Sequence, residues 1–329
     1  MAGRMSLTIW TNHGFRPEAL ELFQQGIAVA GHRLVHSPKS SASVLAAGAS
    51  DPTMDGADIA YGQPDLADTM RLTRLRWVAL STAGYTRYDR ADFRAALQAR
   101  GAPVTSASQV FADPCAQQML GCMLALARNL PAQLRNQDGP REWRYLEDRF
   151  SATVLTGQRV LLLGFGAIGK RLAELLAPFG CQIMAYRRTP RGDEGVNVVT
   201  YAGLSAALAA ADHVVDLLPD SPATQRFMHS ARFAGMKRGA RFYNVGRGTT
   251  VDQDALIAAL KSGQVGAAYL DVMEPEPLPP AHPLWSAPNC FLTCHIGGGR
   301  REQDEELARH FIENLRRFEK NEPLIDRII

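Results

Sequence analysis

A buried strand, a glycine-rich turn and a helix follow one another directly in residues 159–177, which leaves little freedom in the local fold. In a GxGxxG pattern the first glycine permits a tight turn, the second lets the backbone approach a pyrophosphate, and the third lets helix and strand pack closely. The helix N-terminus then offers free N–H groups to phosphates. We therefore predict a dinucleotide-binding unit with six candidate cofactor-binding residues in the turn: Gly164, Phe165, Gly166, Ala167, Ile168 and Gly169.

Short apolar runs alternate with amphipathic stretches on both sides of this motif. Strands that alternate with helices form parallel sheets covered on both faces. A length of 329 residues is more than one hydrophobic core usually serves. We therefore predict two α/β domains with parallel sheets, whose strands are residues 7–10, 33–36, 58–61, 77–80, 159–163, 182–186, 213–218, 241–245, 267–270 and 291–293.

The helices between these strands follow from apolar periodicity and from glycine and proline stops. A longer helix is predicted from about residue 114 to 130, with a proline at each end. Residues 131–156 are polar and irregular, which indicates a connector or an arm. The other predicted helices are residues 17–30, 89–100, 168–177, 204–210, 252–261 and 301–320.

Charge and cysteine usage exclude several classes of protein. The net charge is +3 and the basic residues are scattered, so nucleic-acid binding gains no support. Five cysteines form no CxxC pair and no zinc-type spacing, so we predict reduced thiols and no metal site. The N-terminus lacks the apolar run of a signal peptide, and no stretch approaches the roughly 20 apolar residues that cross a bilayer. We expect a cytoplasmic protein without a membrane partner.

The second predicted strand of the cofactor domain ends in two basic residues. An NAD-specific site usually places an acid here for the ribose hydroxyls, whereas this chain has Arg187 and Arg188, with Asp193 and Glu194 further along the loop. Guanidinium groups pair with a 2′-phosphate that a carboxylate would repel. We predict that NADP(H) is preferred. If both arginines are only solvated loop residues, NAD(H) also serves.

Three charged or titratable residues follow later strands of the same predicted sheet: Arg247, Glu276 and His295. Because the carboxyl ends of parallel strands face the ligand crevice, we expect their side chains to converge. Reduction of a 2-keto acid needs a cation for the carboxylate and a proton donor for the developing alkoxide, and a carboxylate beside histidine orients the ring. Each of these residues alone could have a purely structural role. The hypothesis of a catalytic site therefore rests on their positions after successive strands of the predicted sheet.

These motifs together resemble the D-isomer-specific 2-hydroxyacid dehydrogenase family, in the order GFGAIG, NVGRG, DVMEPEP and CHIGG. The resemblance implies hydride transfer between NAD(P)H and a small 2-keto or 2-hydroxy acid of the glyoxylate and hydroxypyruvate type. It implies that Arg247 binds substrate, that His295 is the acid/base and that Glu276 is its partner. The implied cofactor contacts are Asp271 to the nicotinamide amide and Pro219, Val245 and Gly246 along the cleft.

The same resemblance implies a domain order and an assembly. The turn around Ala83 and Gly84 would bind the substrate carboxylate. Two Rossmann-like domains would form, with the cofactor domain (residues 109–298) inserted into a discontinuous substrate domain (residues 1–108 and 299–329). Hinges would lie at residues 107–108 and 297–299. Family members are usually homodimers, so residues 116–150 would embrace a partner, and Trp143 would reach the neighbour's substrate site.

The chain departs from the family pattern at several positions, and two other functions remain open. Cys294 replaces the usual proline before the histidine, Gln117 and Gln118 replace Glu and His in the long helix, and Gly246 replaces another small residue. Formate or phosphite oxidation on this scaffold is disfavoured by Glu276, since those relatives typically carry Gln there. The alternative from another class is a nucleotide-binding regulatory protein, similar to the corepressors of this fold.

Overall fold

The computed structural model describes residues 6–41 and 48–329. The expectation of no signal peptide rests partly on residues 1–5, which lie outside this range. The chain forms two compact units. The first contains the described residues up to Phe111 together with Arg300–Ile329, and the second is Ala112–Gly299. The sequence places these boundaries at residues 108 and 298 instead.

All pairings between the strands of both sheets are parallel in the described residues. The first unit contains β1 Thr8–His13, β2 Arg33–Ser41, β3 Ile59–Gly62, β4 Trp77–Leu80 and β5 Val104–Thr105. The second contains β6 Arg159–Leu163, β7 Gln182–Tyr186, β8 Asn197–Val199, β9 His213–Asp216, β10 Ala240–Asn244, β11 Val265–Leu270 and β12 Cys290–Leu292.

Helices connect these strands, and the last one returns to the first unit. They are α1 Pro17–Val29, α2 Leu66–Arg71, α3 Ala91–Ala99, α4 Ser108–Ala127, α5 Leu130–Asp138, α6 Tyr145–Ser151, α7 Ala167–Leu176, α8 Leu204–Ala210, α9 Ser230–Ala234, α10 Gln253–Lys261 and α11 Gln303–Glu319. Strands alternate with helices through most of both units, and the predicted α/β class is confirmed.

The first unit is a five-stranded sheet in the order β2-β1-β3-β4-β5. Its core is aromatic: Phe311 on α11 stacks on Trp77 at 5.2 Å between ring centroids and lies 4.8 Å from Tyr61. Such ring pairs add to the stabilisation from buried area. Helix α11 also packs on α1, where Gly26 leaves room for Ile312. The chain end is therefore an integral part of the first unit.

The second unit is a seven-stranded sheet in the order β12-β11-β10-β9-β6-β7-β8. The chain runs outward from β6 to β7 and β8, and then crosses back to β9 and continues to β12. The strand order therefore reverses between β6 and β9. In open parallel sheets a ligand binds beyond the carboxyl ends of the strands at such a switch point. The glycine turn after β6 and the loop after β9 lie at this edge.

Several predicted elements were wrong. Residues 131–156, expected to be an irregular connector or an arm, are largely helical because α5 and α6 lie there. Neither helix buries a residue, so no apolar stripe marks them in the sequence. Strands β5 and β8 are too short to show a period. Helix α4 begins at Ser108 rather than near Pro114, and it accommodates this proline with the loss of one backbone donor.

One helix bears on the expectation that no stretch of the chain crosses a membrane. In the described residues, α4 is long and apolar enough to cross a bilayer. Half of this stretch is buried inside the protein, and core helices of globular proteins pass the same test. A single helix of this kind is weak evidence for a membrane span.

Candidate active site

The glycine turn after β6 has the geometry that the motif requires. Gly164 has φ +103°, and a Cβ there would lie 3.1 Å from the Leu217 carbonyl oxygen. A Cβ on Gly169 would lie 2.9 Å from the Gly164 carbonyl oxygen, so strand and helix pack with no room for a side chain. At Gly166, which caps α7, a Cβ would meet nothing within 4 Å. The turn is thus tight at its first and third glycines and open at the second.

The remaining turn residues continue into α7. Phe165 is buried, while Ala167 and Ile168 form the first turn of the helix and are half-buried. No acidic side chain lies in this first turn. The open backbone at Gly166 and the free N–H groups of a helix end therefore fit a phosphate-bearing cofactor.

The loop after β7 contains an ion pair that the sequence analysis missed. Glu194 folds back so that its Oε1 lies 3.2 Å from Nη1 of Arg187. The same carboxylate accepts hydrogen bonds from the backbone N–H of Arg191 at 2.7 Å and of Gly192 at 2.9 Å. The bond from Arg191, the bond from Gly192 and the charge of Arg187 together lower the pKa of Glu194. Arg188 remains exposed.

Arg247 follows β10 on a tightly packed backbone. A Cβ on Gly246 would lie 2.7 Å from the Leu218 carbonyl oxygen, and one on Gly248 would lie 2.0 Å from the carbonyl of Met273. Neither position has room for a side chain, which explains the departure at Gly246. Burial lowers the pKa of Arg247, while the charges of Glu276 and Asp220 act in the opposite direction.

His295 and Glu276 form a direct hydrogen bond. The His295 Nδ1 lies 2.7 Å from Glu276 Oε2, and the other carboxylate oxygen accepts the Met273 backbone N–H at 3.0 Å. Burial raises the pKa of Glu276, but the hydrogen bonds from His295 and Met273 and the charges of His295 and Arg247 outweigh it, so the net shift is downward. Glu276 is therefore ionised near neutral pH and fixes one nitrogen of the imidazole.

Asp271 clamps the backbone that carries His295. Three consecutive N–H groups donate to it: His295 to its carbonyl oxygen at 2.8 Å, Ile296 to Oδ1 at 3.0 Å and Gly297 to Oδ2 at 2.8 Å. The Thr293 hydroxyl adds a bond of 2.6 Å to Oδ1. The clamp offsets the cost of the left-handed backbone of His295, which has φ +53°. Asp271 is 1% exposed.

The predicted residues do not all lie in one unit. Arg247, Glu276, His295 and the glycine turn belong to the second unit and follow strands of one parallel sheet. Pro219 follows β9 and is exposed, and Val245 follows β10 and is buried. Ala83 and Gly84 lie in the first unit after β4, where the Thr82 hydroxyl donates to the Gly84 carbonyl at 2.7 Å. Among the described residues no His, Cys, Asp and Glu group is arranged to hold a metal.

Comparisons with known proteins identify the family. The model of the D-isomer specific 2-hydroxyacid dehydrogenase NAD binding domain matches residues 120–297. The chain belongs to the D-isomer specific 2-hydroxyacid dehydrogenase family. It is 34% identical over 250 residues to glyoxylate/hydroxypyruvate reductase B of Citrobacter koseri, which covers 74% of this chain and 75% of that protein. It is 33% identical over 232 residues to the glyoxylate reductase/hydroxypyruvate reductase of Homo sapiens, covering 69% and 70%.

Solved structures agree with this assignment. A D-isomer specific 2-hydroxyacid dehydrogenase from Xanthobacter autotrophicus, in complex with NADPH and MES, matches with a TM-score of 0.81 and 29% identity, over 99% of this chain and 98% of that one. An NADPH-dependent glyoxylate/hydroxypyruvate reductase from Sinorhizobium meliloti, in complex with NADP and sulfate, matches with a TM-score of 0.76 and 26% identity over 98% of both chains. This dehydrogenase is thus an oxidoreductase, and the resemblance seen in the sequence is confirmed.

The clamp predicts a local effect of Asp271 on backbone order. In Asp271→Ala the amides of Ile296 and Gly297 lose their acceptor, so we expect faster exchange with deuterium in residues 293–298, by about tenfold for a loss of about 1–2 kcal/mol of hydrogen bonding. Hydrogen–deuterium exchange mass spectrometry measures this. Asp254→Ala, an exposed carboxylate on α10, is the control. Unchanged exchange in residues 293–298 would show that Asp271 does not hold the loop.

Proposed function

We propose that this dehydrogenase reduces small 2-keto acids to 2-hydroxy acids, with NADPH as the preferred hydride donor. The hydrogen bond between His295 and Glu276, on a loop at the carboxyl edge of the sheet that also carries Arg247, supports this proposal most. The named relatives from Citrobacter koseri and Homo sapiens favour glyoxylate and hydroxypyruvate as the substrate class.

Arg247 binds the substrate carboxylate in this proposal. A guanidinium presents parallel N–H donors that match the two oxygens of a carboxylate. Burial already lowers the pKa of Arg247, so its cation is short of solvation and gains from an anionic ligand. Ala83 and Gly84 of the first unit are proposed as further substrate-binding residues, since a turn of small residues lets backbone N–H groups come close to a carboxylate.

His295 supplies the proton to the keto oxygen. Its Nδ1 is held by Glu276, so Nε2 is the nitrogen left to donate. The adjacent negative charge stabilises the imidazolium before the transfer and orients the ring during it. Formate-type oxidation needs no such acid/base pair, and the presence of the carboxylate at Glu276 favours the keto-acid reaction. The comparisons give no support to a regulatory protein without turnover.

When bound, the nicotinamide cofactor supplies the hydride. Gly164 and Gly169 close the turn, and Gly166 leaves the backbone open for the pyrophosphate. Phe165, Ala167 and Ile168 complete this turn. Further along the same edge of the sheet, Pro219, Val245 and Gly246 are proposed to line the cofactor, and Asp271 is proposed to contact the nicotinamide amide. Arg187 and Arg188 would pair with the 2′-phosphate.

Substitution at the catalytic positions tests the reaction. We expect His295→Ala to lower kcat for glyoxylate or hydroxypyruvate reduction by about 10²-fold or more. Arg247→Lys should mainly raise KM, because lysine keeps the positive charge but lacks the two parallel N–H donors of the guanidinium. Steady-state kinetics with NADPH gives both constants. His229→Ala, another histidine of the second unit, should leave them unchanged. Equal activity of His295→Ala and the wild-type protein would remove His295 from the mechanism.

Cofactor preference tests the basic loop. Arg188→Ala should lower the ratio of kcat/KM for NADPH to that for NADH by about tenfold, since a hydrogen bond to a charged group contributes about 1.5–3 kcal/mol. The ratio is measured from initial rates at fixed keto acid. Arg159→Ala, at the exposed start of β6, is the matched control. A strong preference of the wild-type protein for NADH would overturn the assignment of NADP(H).

The arm formed by α5, α6 and the residues around them supports a homodimer. Most of the large hydrophobic side chains exposed in the described residues lie there, with Trp143 93% and Phe150 79% exposed; the others are Leu130, Leu134, Tyr145, Leu146 and Val154. Several large apolar side chains exposed within one segment are typical of a protein interface. The proposed occupant is a second copy of this chain, and Trp143 would contact the partner.

Sedimentation velocity tests this assembly. The double variant Trp143→Ser, Phe150→Ser should sediment as a monomer at concentrations where the wild-type protein is a dimer, because both side chains lose apolar area at the interface. Tyr201→Ser, which removes an exposed aromatic ring outside the arm, should remain dimeric. A wild-type protein that is monomeric at all concentrations would exclude the homodimer.

A further inference from the structure

Three buried polar side chains form a hydrogen-bond network with the backbone of Arg247. The proposed reaction does not use them. Asp216 ends β9, Asn244 ends β10, and Thr250 ends the short helical turn Gly248–Thr250. Each is 0% exposed. All three are linked by hydrogen bonds to the backbone of Arg247 or to each other. Buried polar groups in such a network stabilise a single arrangement when every donor finds an acceptor.

The carbonyl oxygen of Arg247 is the end point of this network. It accepts hydrogen bonds from Asn244 Nδ2 at 2.9 Å and from the Thr250 backbone N–H at 3.3 Å, and it lies 2.6 Å from Thr250 Oγ1. The same Thr250 Oγ1 lies 2.7 Å from Asp216 Oδ2. The other carboxyl oxygen of Asp216 accepts the Leu218 backbone N–H at 3.0 Å. Thr250 is therefore placed between a carbonyl oxygen and a carboxyl oxygen.

Counting hydrogens decides which group donates. A hydroxyl has one hydrogen, and a carbonyl oxygen only accepts. If Asp216 were ionised, Thr250 would have to donate to both neighbours, and one of the two short oxygen–oxygen contacts would hold no hydrogen. If Asp216 carries a proton on Oδ2, it donates to Thr250, and Thr250 donates to the Arg247 carbonyl. Only this second arrangement places a hydrogen in both short oxygen–oxygen contacts.

We propose that Asp216 is a positioning residue that holds a proton in the folded protein and, through Thr250, fixes the backbone of Arg247. The proton on Asp216 and the two hydrogen bonds in series stand on the geometry alone. Their effect on substrate binding rests on the function proposed for Arg247. Loss of the proton would turn the Thr250 hydroxyl toward Asp216 and leave two oxygen lone pairs facing each other at the Arg247 carbonyl.

The surroundings of Asp216 favour the protonated form. Burial raises the pKa of Asp216 to about 7, against the hydrogen bonds from Leu218 and Thr250, which lower it. Asp216 pairs with Leu163 on β6 and with Asn244 on β10, both uncharged. The titratable and charged groups of these three strands and of their adjoining loops are Arg159, Asp212, His213, Asp220, Arg226, His229, Lys237, Arg238, Arg241, Tyr243 and Arg247.

Ionisation of Asp216 should raise KM for the keto acid as pH increases. Below about pH 7 the proton is present and the Arg247 carbonyl has three donors, one of which is the Thr250 hydroxyl. As pH rises through this value the carboxyl ionises, and the carbonyl loses the hydroxyl donor and keeps Asn244 Nδ2 and the Thr250 backbone N–H. Arg247 then loses a fixed position, so KM for the keto acid should rise by about fivefold, the typical effect of one hydrogen bond.

Asp216→Asn is the decisive variant, because an amide is an isostere of the protonated carboxyl. Its Oδ1 accepts from Leu218 and its Nδ2 donates to Thr250 at every pH. We expect KM of this variant to stay within about twofold of the low-pH wild-type value up to about pH 8.5. Asp212→Asn, at the other end of the same strand, is the control and should keep the wild-type profile. A wild-type pH dependence of KM in Asp216→Asn would overturn the proposal.

Thr250 provides a second test. Thr250→Val keeps the shape and removes the hydroxyl, so KM should be about fivefold higher even at low pH. Thr250→Ser keeps the hydroxyl and should restore the wild-type KM and its pH dependence. If Thr250→Val and Thr250→Ser have equal KM values, the hydroxyl does not act on Arg247.

A substrate-free measurement separates this proposal from the proposed function. In protein labelled with ¹³C at aspartate carboxyls, the resonance that disappears in Asp216→Asn should titrate with a midpoint near 7. A resonance at the carboxylate position throughout about pH 5–8.5 would show that Asp216 holds no proton there. This result would stand whether or not any keto acid is reduced.

Discussion

The hydrogen bond between His295 and Glu276 depends on the conformation of the loop that carries His295. Hydrogen bonds to residues outside this loop stabilise that conformation. His295 has a left-handed backbone, which side chains with a Cβ rarely adopt. Asp271 compensates by accepting three consecutive backbone N–H groups, and Glu276 is itself fixed by the Met273 N–H. The orientation of the imidazole is therefore determined by acceptors at the end of β11, one strand away from its own.

The backbone of Arg247, which follows β10, is also held by contacts with other parts of the sheet. Its flanking glycines bring the backbone against Leu218 and Met273, and its carbonyl is held by Asn244 and Thr250. In both cases the functional side chain belongs to a backbone segment that is held by hydrogen bonds from residues at the ends of neighbouring strands. Such support allows a few side chains at the edge of a sheet to keep the spacing that proton transfer and carboxylate binding need.

Periodicity and motif spacing predicted most of the fold and the position of the candidate site. The glycine turn could be interpreted from the sequence because a tight turn, an open backbone and close helix packing each require a glycine, at Gly164, Gly166 and Gly169. The positions of Arg247 and His295 after strand ends follow from the parallel topology. The helices of the arm, α5 and α6, were missed because they bury no residue. The pairing of Glu194 with Arg187 was missed because the two residues lie in an irregular loop. Such a loop has no periodic sequence pattern from which a side-chain contact can be predicted.

The ion pair between Arg187 and Glu194 has a consequence for engineering the cofactor preference. Glu194 has a side chain that is 2% exposed, and Arg187 is its cationic partner. Replacing Arg187 by an acid to favour NADH would leave two carboxylates together with no positive side chain between them, and like charges at this distance repel. The basic and acidic positions form a unit, so a redesigned cofactor loop has to exchange both residues at once.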